Sequence, residues 1–138
     1  KVVCGASHTL FIMTLGDLRG CGRNDSGQLG TGNADSSDVP VRILGPGNRF
    51  GWAVEDAVAN EHTLVTMSCG AVIGFGSNHH AQLGLGHRRV QLAPADLPLD
   101  ARNVELHVGA FQSFAIYPGV QPKPVGFLDK EDLYHRKN

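Results

Sequence analysis

Charge of one sign, long apolar runs, cysteine and helical periodicity are all scarce in this chain. Lys and Arg number 12 against 13 Asp and Glu, a net charge of −1. Such a balance builds no strong positive field and argues against nucleic acid or anionic lipid as the partner. No apolar run approaches the roughly 18 to 20 residues that span a bilayer, so no membrane-spanning helix is expected. Three cysteines, Cys4, Cys21 and Cys69, are an odd number at no metal-like or redox-like spacing. A small secreted scaffold would carry a denser, even set, so a reducing setting is expected, intracellular and either cytoplasmic or nuclear. Helical periodicity is absent apart from a weak hint in residues 128–135. The sequence starts at Lys1 with no initiator Met and no charged-then-apolar leader, which reads as a cut piece or processed product without a targeting segment.

What remains is 138 residues and 14.7 kDa, one domain's worth of material. Glycine is abundant, 18 of the 138 residues, nearly twice the roughly 7% of ordinary proteins, and without the triplet period of collagen. These glycines must serve turns or close packing.

The glycines belong to a tandem repeat. His8-Thr9-Leu10 returns 54 residues later as His62-Thr63-Leu64. The same offset carries Gly16 to Gly70, Gly20 and Gly22 to Gly74 and Gly76, and Asn24 to Asn78. It also carries Gln28-Leu29-Gly30 to Gln82-Leu83-Gly84, Gly32 to Gly86 and Pro40 to Pro94. A third copy begins near Leu106, where residues 108–116 overlay residues 4–12 with Gln112-Ser113 in place of His-Thr. The repeats therefore divide the chain at about 2–54, 55–104 and 105–117, followed by a Pro-containing tail over 118–138.

Residues 9–14 and 63–67 are rich in Leu, Ile, Val, Phe and Thr on both alternating faces, as in strands covered on two sides. Gly16 and Gly70 each separate such a run from a second one, residues 18–21 and 72–75, which predicts a hairpin with glycine at positive φ. Gly20 and Gly74 lie within the second strand, where glycine marks a bulge or the approach of another backbone. Residues 24–32 read as a polar turn and 33–39 as a polar linker. Residues 39–44 return to an extended strand whose Pro40 suits a sheet edge. Units of about 50 residues built this way must stack, and radial closure into a β-propeller is the usual solution.

The string His-Thr-Leu, then Gly, then Gly-x-Gly-x-Asn-x-x-x-Gln-Leu-Gly-x-Gly, present at 8–32 and again at 62–86, resembles the repeat of the regulator of chromosome condensation family. The resemblance covers roughly residues 2–117 and implies a seven-bladed propeller. Departures are Cys21 where an aromatic usually precedes Gly22, Ala59 where Gly is usual, and Gln112-Ser113. Seven units would need roughly 350 residues, so two units and the start of a third make a partial propeller. Its open faces are expected to be covered by missing blades or by protein partners, and the isolated chain is expected to be poorly folded or self-associated.

Few residues suggest chemistry. His8 and His62 open buried strands, yet an active site is rarely repeated and Gln112 lacks imidazole's acid-base capacity, so both read as structural hydrogen-bonding groups. The other repeat positions, Gly16, Gly70, Gly22, Gly76, Asn24, Asn78, Gln28, Gln82, Gly30 and Gly84, are read the same way. His79, His80 and His87 could hold a metal, but no cysteine or carboxylate completes a ligand set. Their repeat counterparts include Asp25 and Ser26, so His79 and His80, with Arg88 and Arg89, are better read as partner contacts. Gly20-x-Gly22 and Gly74-x-Gly76 lack the third glycine of a dinucleotide fingerprint, and Ser7 lacks the final glycine of a nucleophile elbow. Asn24-Asp25-Ser26 fits a glycosylation sequon but reads as a turn. Cys4 aligns with Val58 and Val108 and reads as a small core residue. Arg136-Lys137 reads as a solvated cluster. Residues 118–124 read as an extended exit that cannot continue a ladder, carrying Phe127, Leu128, Leu133 and Tyr134 to a neighbour. No catalytic group, cofactor or metal is expected. The reading is a non-catalytic interaction scaffold. Its rivals, drawn from the resemblance, are a nucleotide-exchange factor for a Ran-like small GTPase and the regulatory propeller of a HECT-type ubiquitin ligase.

Overall fold

Each predicted hairpin glycine turns the chain where two strands reverse: Gly16 at φ 86° and Gly70 at φ 92°, angles that a Cβ would strain. Gly16 N donates to Met13 O at 2.9 Å and Gly70 N to Met67 O at 2.9 Å. The computed structural model describes residues 1–45, 47–102, 104–119 and 123–124, with regular structure that is β throughout.

Strands β1 (Val2–Cys4), β2 (His8–Ile12), β3 (Leu18–Gly22) and β4 (Ser37–Leu44) form one antiparallel sheet in that order. Strands β5 (Val54–Ala59), β6 (His62–Met67), β7 (Ala71–Gly76) and β8 (Gln91–Asp100) repeat it. A third sheet orders β9 (Glu105–Val108), β10 (Ser113–Ile116) and β11 (Lys123–Pro124). These sheets are blades of a partial propeller. Pro40, Pro94 and Pro98 all sit on β4 or β8, the outer edge strands, where a missing N–H leaves no ladder bond unmade.

The sheets stack on two apolar layers. Leu10, Ile12, Leu18 and Leu44 of the first sheet pack against Ala57, Val65, Met67, Ile73 and Phe75 of the second. The opposite face of the second sheet, Leu64, Val72, Leu97 and Leu99, meets Ala115 of the third. Each fully buried leucine contributes about 2 kcal/mol, so these layers, rather than intrinsic strand propensity, hold the sheets in register.

Several expectations change. Cys4, read as a small core residue, is exposed on the edge strand β1. The two-faced burial read for both first strands holds for β6 but not β2, whose Thr9 and Phe11 are only half buried. On that face the first sheet offers Arg19 and Cys21 where the second has Ile73 and Phe75, so it is less apolar than the repeat suggested. Gly20 and Gly74 do lie at register shifts, but what presses on them is side chain, not backbone. A Cβ at Gly20 would stand 3.1 Å from Leu29, and one at Gly74 3.1 Å from Leu83. The polar linker ends earlier than expected, because β4 begins at Ser37. The exit segment rejoins the ladder: Lys123 pairs with Ala115 and Pro124 with Phe114, an edge position that tolerates proline. Phe127, Leu128, Leu133, Tyr134, Arg136 and Lys137, and the helical hint over 128–135, lie outside the described residues.

Candidate functional site

The polar repeat residues converge at one end of the strands, where each sheet meets the next. His8 and Gly22 pair across β2 and β3, as do His62 and Gly76 across β6 and β7. Gly22 and Gly76, at φ 107° and 106°, let the strands close: a Cβ on either would lie 2.8 Å from the Cα of the paired histidine.

Both histidines reach into the following sheet. His8 Nε2 is 3.0 Å from Thr63 Oγ1, and Thr63 donates its hydroxyl to Gln28 O at 3.2 Å. With that proton spent, His8 must donate from Nε2, which leaves Nδ1 as a bare acceptor. His62 Nε2 is 2.7 Å from Ser113 Oγ. Nδ1 of each ring is buried without a hydrogen-bond partner. Protonation there would place an unpaired N–H and a charge in the interior, so burial pushes both pKa values down. Glu61 partly opposes this for His8, whereas His8 adds to it for His62, which falls to about 4. Both imidazoles are neutral hydrogen-bonding pegs near neutral pH. The hydrogen-bond partner of His62 is thus a hydroxyl, a pairing signalled by Thr9, Thr63 and Ser113 at one repeat position.

Asn24 and Asn78 are fully buried clamps. Asn24 Oδ1 accepts from Leu29 N at 2.9 Å, and its Nδ2 donates to Asn33 O and Asp35 O, both at 3.0 Å. Asn78 repeats the pattern with Leu83 N at 3.1 Å, His87 O at 2.8 Å and Arg89 O at 3.0 Å. An Asn24 amide so engaged cannot present itself for glycosylation. Gln28 Oε1 accepts from Ser26 N at 2.8 Å and Gln82 Oε1 from His80 N at 2.9 Å. Gly30 and Gly84, both at φ 64°, then turn the chain. The Gly30 turn presses on Phe75 of the second sheet, 2.8 Å from where a Cβ would be.

The same scaffold carries opposite charges in its two copies. On the first loop Arg23 Nε donates to Asp25 at 2.7 Å, which holds the Asp25 carboxyl below its usual range, and Asp35 adds a second carboxylate. At the matching positions the second loop has His79 and Arg89, with Arg88 where the first has Ala34. His79, His80, Arg88 and Arg89 are all exposed. His79 and His80 sit in a turn. His87 Nδ1 accepts from Arg89 N at 3.1 Å, so that ring is already occupied. Among the described residues no group of three or more His, Cys, Asp or Glu side chains could hold a metal.

Sequence reasoning missed the position that joins each sheet to the preceding loop. Glu61 accepts from Gln28 Nε2 at 3.3 Å. Its counterpart Phe111 meets the His80 ring at 4.6 Å between centroids, tilted by 55°, and stays 60% exposed. A separate groove of about 590 Å³ runs between β5 and β9. There Lys1 Nζ pairs with Asp56 at 2.6 Å and His107 with Glu105 at 3.4 Å. Among the described residues no helix is long and apolar enough to cross a membrane.

Two family models described as regulator of chromosome condensation (RCC1) repeat match residues 1–28 and 16–66. The ultraviolet-B receptor UVR8 of Arabidopsis thaliana is 36% identical over 95 residues, 68% of this chain and 21% of that protein. Protein RCC2 of Homo sapiens is 40% identical over 83 residues, 60% of this chain and 16% of that one. The chain thus spans about a fifth or less of the length of these relatives. The crystal structure of human WBSCR16 shares the fold with a TM-score of 0.69 at 22% identity, over 86% of this chain and 30% of that one. With its repeat spacing, its stacked four-stranded sheets and these matches, the chain belongs to the regulator of chromosome condensation repeat family.

Proposed function

We propose that the chain is a non-catalytic protein-interaction module, a scaffold or assembly subunit built from propeller repeats. One observation carries this reading: the polar side chains that recur are consumed in holding the structure. His8 and His62 are spent on the next sheet, Asn24 and Asn78 on their own loops, and Gln28 and Gln82 on the turns between. None is left with a substrate-facing nucleophile or base. Among the exposed polar groups that do not recur between copies are His79, His80, Arg88 and Arg89 on the second loop. Residues that vary on a rigid repeated frame suit recognition better than chemistry.

The test is affinity capture with the chain as bait, followed by identification of what is retained, beside a variant with His79, His80, Arg88 and Arg89 changed to Ser. The reading expects retained proteins that the variant loses, and no release of labelled GDP from a Ran-like small GTPase. Recovery unaffected by the variant, or accelerated GDP release, overturns it.

A further inference from the structure

We propose that the loop end of the second sheet docks an acidic segment of a partner protein that carries an apolar side chain, a refinement that rests on the interaction-module reading. Three observations converge there. First, the cations are gathered by a preformed frame. Asn78 binds the carbonyls of His87 and Arg89 while the turn next to it is closed by Gln82 onto His80 N. The loop therefore loses little conformational entropy on binding. Second, the charges are uncompensated: among the described residues no carboxylate pairs with Arg88 or Arg89, whereas Arg23 on the sibling loop is paired to Asp25. Third, Phe111 stands 60% exposed beside the His80 ring, a large aromatic surface able to receive an apolar side chain.

The sibling loop supplies specificity. It holds the same backbone with Asp25 and Asp35 in place of His79 and Arg89, so an acidic segment is attracted to one loop and repelled by the other. A protein segment is favoured over nucleic acid because the unpaired cations cover one loop only, Arg23 on the other being held by Asp25. A polyphosphate running past it would meet Asp25, Asp35 and Glu61, on a chain whose net charge is −1.

The experiment uses the full chain and a fluorescein-labelled synthetic peptide with a central Leu-Phe pair flanked by runs of Asp and Glu, read by anisotropy at low salt. Saturable binding is expected. It should weaken roughly tenfold when Arg88→Glu and Arg89→Glu are combined, and by a smaller factor when both become Gln. Phe111→Ala should weaken it roughly threefold, while Asp25→Ser leaves it equal or tighter. All these side chains are exposed, and unchanged far-UV circular dichroism confirms that each variant is folded. No binding, binding indifferent to the charge reversal, or tighter binding of a labelled single-stranded oligonucleotide or of anionic vesicles would overturn the proposal. If the peptide fails while capture of partners still depends on the second loop, only the acidic chemistry falls. If capture is also independent of that loop, the interaction reading falls with it.

Discussion

The two seams between sheets are built from one repeat and finished differently. At the first seam the loop of the first sheet lies on the second. Gly32 N donates to Leu92 O at 2.9 Å, Gly30 presses on Phe75, and a Cβ on Gly27 would stand 2.8 Å from Gln91 O. At the second seam the histidine bond recurs, but the position of Gly27 is Ala81, held at φ 57°, and the Gln28–Glu61 bond gives way to His80 on Phe111. The repeated residues thus serve two distinct tasks. Asn24, Asn78, Gln28 and Gln82 shape their own loop and persist in both copies. Gly27 answers to the next sheet as well, and there the copies diverge.

Substitutions at the loop glycines probe the comparison most forcefully. Gly30→Ala should cost about 3 kcal/mol, combining left-handed strain with a collision at Phe75, whereas Gly32→Ala, with open space around it, should cost about 1 kcal/mol. Equal losses in urea unfolding would break the argument that the first seam is closed by contact.

Acid probes the histidines of both seams. Their folded pKa values lie below the unfolded value, so the unfolded chain binds more protons and stability falls as pH falls through the window from 6.5 toward about 4. At about 1.4 kcal/mol per unit, His62 alone accounts for ~3 kcal/mol. His62→Gln should flatten this dependence, and an unchanged pH profile in that variant would contradict it.

A smaller effect separates two replacements of the same ring. His62→Gln can still donate to Ser113 and should unfold near the parent midpoint, while His62→Leu strands the hydroxyl and should cost a further 1 to 3 kcal/mol, on the order of one buried hydrogen bond. Coincident midpoints would remove the peg role. The smallest effect is expected at Ala81→Gly, where relief of a left-handed alanine is offset by a floppier unfolded chain. The net gain should be below about 1 kcal/mol, and a loss of stability would show that the second loop is not strained at Ala81.

Within-unit features were legible because local chemistry dictates them. Gly16 and Gly70 sit between two strand-like runs with no room for a longer loop, and Pro40 and Pro94 can occupy only an edge. What lay between units was not legible from one copy. His8 has its partner in Thr63, a contact between different repeats, so its spacing shows only that both positions recur. The hydroxyl at Thr9, Thr63 and Ser113 was the available signal. The return of Lys123–Pro124 to the third sheet was hidden by proline, whose usual role as a strand breaker does not apply at an edge. Phe111 gave no periodic signal, because Ser7 and Glu61 at its position share neither size nor charge with it.

The recurrent histidines join neighbouring sheets. A double-mutant cycle of His62→Leu and Ser113→Ala, read by urea unfolding, tests it most directly. The double variant should be less destabilised than the two single losses added together, by about 1 kcal/mol or more, because removing both partners leaves neither one unpaired. Strict additivity would contradict it.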